Sequence, residues 1–191
     1  YNPDMANQLL DEAGWVMNES TGIREKDGEP LNLLLTLESD YSATSMPTAE
    51  VIKSQLAEVG IDVTIYGTEQ MQWYADYLEG KFDLTLWHSQ FAFASPHCWF
   101  TPMDSMVPQT PSLPGIEGSD EFLATIKDLT NMVDEQEVRD TYTYLFNFDI
   151  GTVLDIPLTY QKDMIVYNTD KISGYTFTGT PYFFDILSLE P

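Results

Sequence analysis

Residues 31–87, LNLLLTLESDYSATSMPTAEVIKSQLAEVGIDVTIYGTEQMQWYADYLEGKFDLTLW, decide the fold. Leu31–Leu37 is a nearly continuous apolar run, as expected of a strand buried on both faces. Pro47–Val59 sets Val51, Ile52, Gln55, Leu56 and Val59 on one stripe and stops at Gly60, which predicts a helix. Ile61–Tyr66 alternates and predicts a strand. Glu69–Leu78 predicts a second helix, ended by Gly80, and Phe82–Trp87 a third strand. Strand, helix, strand, helix, strand is the rhythm of a βαβαβ unit with a largely parallel sheet and right-handed crossovers. In such sheets ligands bind beyond the carboxyl ends of the strands. The loop after Trp87 lies at such an end.

That loop is chemically the richest part of the chain. Phe82–Met103, FDLTLWHSQFAFASPHCWFTPM, holds both histidines, the single cysteine and two of the four tryptophans. His88, His97 and Cys98 suit nickel, copper or zinc, with Met46, Met103 and Met106 as soft ligands. Their spacing matches no established zinc pattern. The competing reading is a polar strand end, a histidine packed in a turn and a small buried thiol. Trp87, Phe91, Phe93 and Trp99 form a candidate aromatic wall, with His88, Ser89 and Gln90 as its polar groups. These aromatics equally suit a domain core. No GxSxG, GxGxxG, P-loop or HExxH pattern is present, so the chain reads as a non-enzyme.

Outside the βαβαβ stretch, Asn2-Pro3-Asp4 caps a helix whose Met5, Leu9, Leu10 and Ala13 share a face, stopped by Gly14. Ile23–Leu31 reads as a hairpin turning at Asp27-Gly28. Met103–Ser119 reads as a surface loop rich in Pro, Gly and Ser. Asp120–Val133 and Gln136–Ile150 predict helices, with Phe122, Ile126, Leu129 and Val133 aligned on the first and Val138, Tyr142, Leu145 and Phe146 on the second. Ile156–Tyr160 and Met164–Tyr167 predict strands, and Gly174–Pro191 an irregular aromatic tail. The opening YNPDMANQLLDEAGW has no initiator methionine and enters a helix directly, which reads as a piece of a longer protein.

The length of 191 residues and a 43% hydrophobic content suffice for a real core. The formal net charge is −23, from 31 acidic residues against 8 Lys and Arg. Such a surface repels nucleic acid and anionic membranes. The acids are scattered, so the charge reads as a solvated exterior. One cysteine excludes an internal disulfide. No apolar run reaches the ~18 residues of a membrane span.

Four segments carry a resemblance. YNPDMANQLLDEAGW resembles the Tyr-x-Pro-x-x-Ala-x-x-Leu-Leu-x-x-Ala-Gly opening of the last third of family 5 extracellular solute-binding proteins, the receptors of ABC importers for peptides and nickel. AEVIKSQLAEVGIDVTI resembles that family's helix followed by Gly-Ile-x-Val. KFDLTLW is similar to its Phe-Asp-hydrophobic strand, and IPLTYQKDMIVYN to its late hydrophobic-Pro-Leu strand. The resemblance implies an α/β fold: the second lobe of a periplasmic-binding-protein fold, with a mainly parallel or mixed sheet flanked by helices. Residues 1–155 would form most of that lobe, and residues 156–191 the crossover and tail returning to the first.

It also implies that the loop lines the ligand cleft, through Trp87, His88, Ser89, Gln90, Phe91, Ala92 and Ala94, joined by Thr110. Peptide-type members carry acids at the positions of Ala92 and Ser95, and this chain carries neither. The nickel-type branch has Ala at 92 and Pro-His after, as in Pro96-His97, and IREKDGEPL and PLTYQKDMIVY also resemble it. That branch puts Trp at position 90, Tyr at 94 and a metal-binding His near 110, where this chain has Gln90, Ala94 and Thr110. His88 would then be the substitute metal ligand, with His97 second. The implied activity is capture of nickel as a small chelate, with a peptide or another small solute as the alternative. A non-catalytic protein-interaction domain is the reading from another class. The implied setting is extracytoplasmic, periplasmic or as a lipid-anchored lipoprotein, in a monomer that serves an ABC transporter permease. No cofactor is expected beyond nickel as cargo.

Overall fold

The computed structural model describes residues 1–88, 96–104, 111–159, 164–176 and 186–190. Asn2 caps helix α1 (Pro3–Glu12): its Oδ1 accepts the Met5 N–H at 3.1 Å, and Pro3 stands in the first turn. Of the apolar face expected of α1, only Leu10 turns inward. Met5, Leu9 and Ala13 are exposed, and Ala6 and Asn7 are half-buried beside Leu10. The inward pull on this side is polar. Arg24 donates to Asn7 Oδ1 at 2.8 Å and to Asp11 Oδ1 at 2.6 Å.

Three short strands follow, β1 (Val16–Asn18), β2 (Ile23–Lys26) and β3 (Glu29–Pro30), in an antiparallel sheet. The expected β2–β3 hairpin turns through Asp27 and Gly28, both at positive φ (54° and 86°), as a two-residue primed turn requires. β1 was not legible, being three residues of no clear alternation. Arg24 fastens this sheet. It is 3% exposed, and its Nε donates to the Val59 carbonyl while Nη1 also donates to the Trp15 carbonyl.

The parallel unit appears as expected. β4 (Asn32–Glu38), α2 (Ser45–Ala57), β5 (Asp62–Thr68), α3 (Gln70–Leu78) and β6 (Leu84–Leu86) alternate, and the sheet order is β5-β4-β6, all parallel. β4 is central. Leu35 and Leu37 meet Ala49 and Val63 in a dry cluster flanked by Ile52, Leu56, Ile61, Ile65, Leu84 and Leu86. The inward face of α2 thus runs through Ala49, Ile52 and Leu56. Val51 and Gln55, expected on it, are exposed, because small Ala49 sits against the strand and turns the helix about its axis.

A second core gathers Phe100, Met103, Leu113, Phe122, Ile126, Leu129 and Leu145. It is built by α4 (Pro96–Phe100), α5 (Ser119–Leu129) and α6 (Glu135–Gly151). Asp134 caps α6 by accepting the Gln136 and Glu137 N–H groups, each at 2.9 Å. Met103 and Leu113 correct the surface-loop expectation. They anchor the two ends of that segment in the core; residues 105–110 lie outside the described ones. Val133 is also corrected: α5 ends at Leu129, and Val133 is 96% exposed.

The chain divides into two compact units, residues 1–154 and 155–191. Within the second, β7 (Gly174–Tyr175) pairs antiparallel with β8 (Leu189–Glu190), a ladder inside the tail expected to be irregular. The strands expected at Ile156–Tyr160 and Met164–Tyr167 have no ladder partner among the described residues, which exclude Tyr160. Alternation shows that a segment suits a pleat, but a strand also needs a neighbouring edge. Among the described residues no helix is long and apolar enough to cross a membrane.

Candidate ligand-binding site

The carboxyl ends of β4 and β6 lie side by side, since Leu37 pairs with Leu86. Beyond them the chain supplies Tyr41 on one side and Trp87 and His88 on the other. α3 adds Trp73 and Tyr77, one helical turn apart and both buried. These rings form a continuous aromatic stack. Tyr41 and His88 lie face to face, with centroids 3.3 Å apart and planes within 12°. Trp73 stands 5.1 Å from Trp87, and Tyr77 stands 4.8 Å from Trp87. Trp73 and Trp87 are each 6.3 Å from His88. Phe82 closes the stack on Tyr77 at 5.3 Å.

A polar layer holds the stack from below. Thr85 Oγ1 accepts the Trp73 indole N–H at 3.2 Å and the Thr36 hydroxyl at 3.0 Å. The indole is therefore located by a directional bond as well as by packing. At the rim Tyr41 and Trp87 each keep 39% of their surface, so a ligand can meet them without unfolding the core. Burial lowers the His88 pKa below the ordinary 6.5, favouring the neutral ring that can donate a lone pair to a metal.

Two buried acids lie on the elements beside this stack, α3 and β4, and differ. Asp76, on α3, accepts from Gln72 Nε2 at 3.0 Å and from Lys81 Nζ at 3.4 Å. Glu38, at the end of β4, is 7% exposed, and its Oε2 has no hydrogen-bond partner.

Of the candidate residues, Trp87 and His88 come together here. Ser89, Gln90, Phe91, Ala92, Ala94 and Thr110 lie outside the described residues. His97 belongs to another neighbourhood: with Thr101, Ile126, Lys127 and Thr130 it lines a hollow on the second core. Cys98 is half-buried beside it, and Trp99 donates to Asp149 Oδ2 at 3.2 Å. Among the described residues no group of three or more His, Cys, Asp or Glu is placed to hold a metal ion. Sequence reading missed Tyr41, Trp73, Tyr77 and Glu38. The rule that singled out the end of β6 applies equally to the end of β4, where ESDY follows the apolar run.

A family model described as bacterial extracellular solute-binding proteins, family 5 Middle, matches residues 1–110. The chain is 27% identical over 169 residues to the nickel-binding periplasmic protein of Escherichia coli K12, covering 87% of this chain and 32% of that protein. It is 41% identical over 69 residues to the oligopeptide-binding protein OppA of Lactococcus lactis IL1403, covering 36% of this chain and 11% of that protein. Among solved structures, NikA from Brucella suis in complex with Fe(III)-EDTA superposes with a TM-score of 0.71 at 29% identity, over 80% of this chain and 30% of that one. The chain thus spans about a third of the length of the relatives that match most of it.

Proposed function

The chain belongs to the bacterial extracellular solute-binding proteins of family 5, a family of binding proteins rather than enzymes, and from that premise we propose that it forms most of one lobe of a receptor serving an ABC importer. Residues 1–155 make up most of the second lobe, and residues 156–191 cross back towards the first. The receptor works outside the cytoplasm, in the periplasm or on a lipid anchor, as a monomer that delivers its solute to a permease. The solute is nickel carried as a small chelate, the metal being cargo. The observation that supports this is the half-buried His88 imidazole, burial holding it towards its neutral form, stacked on Tyr41 at the carboxyl edge of the parallel sheet. The 27% identity to the nickel-binding protein adds to it.

Trp87, His88, Ser89, Gln90, Phe91, Ala92, Ala94 and Thr110 line this half of the cleft. His88 reaches the metal first, and His97, on the second core, is the secondary candidate. A ligand stabilises the closed state only by touching both lobes, so the wall described here supplies part of the binding. The second reading, a peptide receptor, draws support from the 41% identical stretch of the oligopeptide-binding protein.

Thermal shift of the complete gene product separates the two. Nickel, with and without a carboxylate chelator, is compared with a peptide library. A shift with peptides only removes the nickel reading. His88→Ala and Gln90→Ala should weaken binding more than His97→Ala, and equal insensitivity of all three takes this loop out of the site.

A further inference from the structure

We propose that Glu38 is the charge-balancing residue of this site: its carboxylate holds the positive part of the solute, a metal dication or an ammonium group, against the Trp73–Trp87–Tyr41 platform. The proposal rests on reading that edge as the ligand wall.

The strand places the residue. Along β4, Leu35 and Leu37 enter the dry cluster with Ala49, so Thr36 and Glu38 face the other way, towards α3. Thr36 makes that direction concrete, because its hydroxyl meets the same Thr85 Oγ1 that accepts the Trp73 indole. Leu37 pairs with Leu86, so Glu38 stands level with the end of β6, where Trp87 follows. The carboxylate therefore sits at the carboxyl edge of the central strand, in the layer where the indoles of Trp73 and Trp87 meet.

The chemistry follows from what surrounds it. Glu38 is 7% exposed, and its Oε2 is closed to water without a donor. No salt bridge among the described residues includes it; Arg24, Lys81 and Arg139 pair elsewhere. Asp76, the other buried acid beside the stack, has both an amide and an ammonium partner. A carboxylate withdrawn from water and left unpaired works against folding. Such a group at a binding edge is where a cationic ligand gains most, because the protein has already met the desolvation cost. Indole and phenol faces also attract cations, so platform and carboxylate select the same charge. An anionic solute meets no positive side chain of the stack.

The test uses the complete gene product, with Ni2+ alone, tetra-alanine with a free amino terminus and N-acetyl-tetra-alanine as probes, followed by calorimetry. Glu38→Gln should weaken Ni2+ or the free-amine peptide by about tenfold to a hundredfold, the scale of one charge-assisted contact, and leave the acetylated peptide unchanged. Loss for Ni2+ alone identifies a metal as the cation, and loss for the free-amine peptide alone an ammonium. Without ligand, Glu38→Gln and the volume-matched Glu38→Met should melt at or above the parent temperature. A lower melting temperature for both marks a structural acid and overturns the proposal. Unchanged affinity for the cationic probes, equal loss for free and acetylated peptide, or binding of neither cationic probe by the parent overturns it as well. Trp87→Ala separates the two levels. If it weakens binding while Glu38→Gln does not, only the role of Glu38 falls; if neither matters, the ligand wall falls too.

Discussion

Replacing Thr85 with valine removes one hydroxyl from beneath the aromatic platform and keeps the branched shape that a strand favours. In the parent, Thr85 Oγ1 accepts the Trp73 indole N–H at 3.2 Å and the Thr36 hydroxyl at 3.0 Å. Trp73 and Thr36 are each 4% exposed, so water cannot replace the lost acceptor. A buried donor without a partner costs about 1–3 kcal/mol. The Thr36 hydroxyl can rotate to a carbonyl, but the indole N–H is fixed in its ring and dominates. The expected loss is therefore about 2 kcal/mol, which at an m-value of about 2 kcal/mol/M lowers the urea midpoint by about 1 M. Urea unfolding followed by circular dichroism measures it. The exposed Thr64→Val is the control and should stay within about 0.5 kcal/mol. In a Trp73→Phe background, which has no indole N–H, Thr85→Val should cost about 1 kcal/mol less. A loss below about 0.5 kcal/mol, or an equal loss in both backgrounds, refutes the polar layer as what locates Trp73.

Arg24→Met keeps the buried stem but orphans the Val59 and Trp15 carbonyls and Asn7, and should cost about 3–5 kcal/mol by the same assay. Asp11→Asn should cost less than about 1 kcal/mol, because that carboxylate is 67% exposed. Gly60→Ala should cost more than Gly28→Ala, about 2 against about 1 kcal/mol in chemical denaturation. Both have positive φ, but only at Gly60 would a Cβ meet Met17 Cε at 2.7 Å and Arg24 Cγ at 2.9 Å. Because burial lowers the His88 pKa below 6.5, the unfolded chain takes up the proton first on acidification. Stability should then fall as the pH drops from about 6.5 towards the folded pKa, with this contribution intact above it. Melting temperatures across that range should show a shallower slope for His88→Gln, and an unchanged slope would sink the assignment.

Much of the scaffold was legible because its signals are local. The cap at Asn2, the Asp27-Gly28 turn and the strand–helix rhythm from Leu31 to Trp87 depend on residues within a turn or two of each other. Helix orientation was less legible. Val51 and Leu9 satisfy an apolar stripe as well as the residues that are buried, and only the surface opposite decides between them. For α2 that surface is Leu35 and Leu37 closing on Ala49; for α1 it is the guanidinium of Arg24. IPLTY and MIVY find no ladder among the described residues for a related reason: a ladder needs a second edge, and the segment alone cannot show whether one is there.

The candidate site divides along the same line. Sequence alone established a parallel βαβαβ unit, a strand end at Trp87-His88 and a resemblance to solute-binding receptors, all properties of contiguous residues. Tertiary structure decided which side chains share that edge. It drew Tyr41 from beyond the end of β4 and Trp73 and Tyr77 from α3 to Trp87 and His88, left Glu38 buried at the last position of β4, and set His97 on another core. These partners lie from about ten to fifty residues apart along the chain, and no local pattern joins them. Parallel strand register, which aligns Leu37 with Leu86, is what brings the two strand ends together.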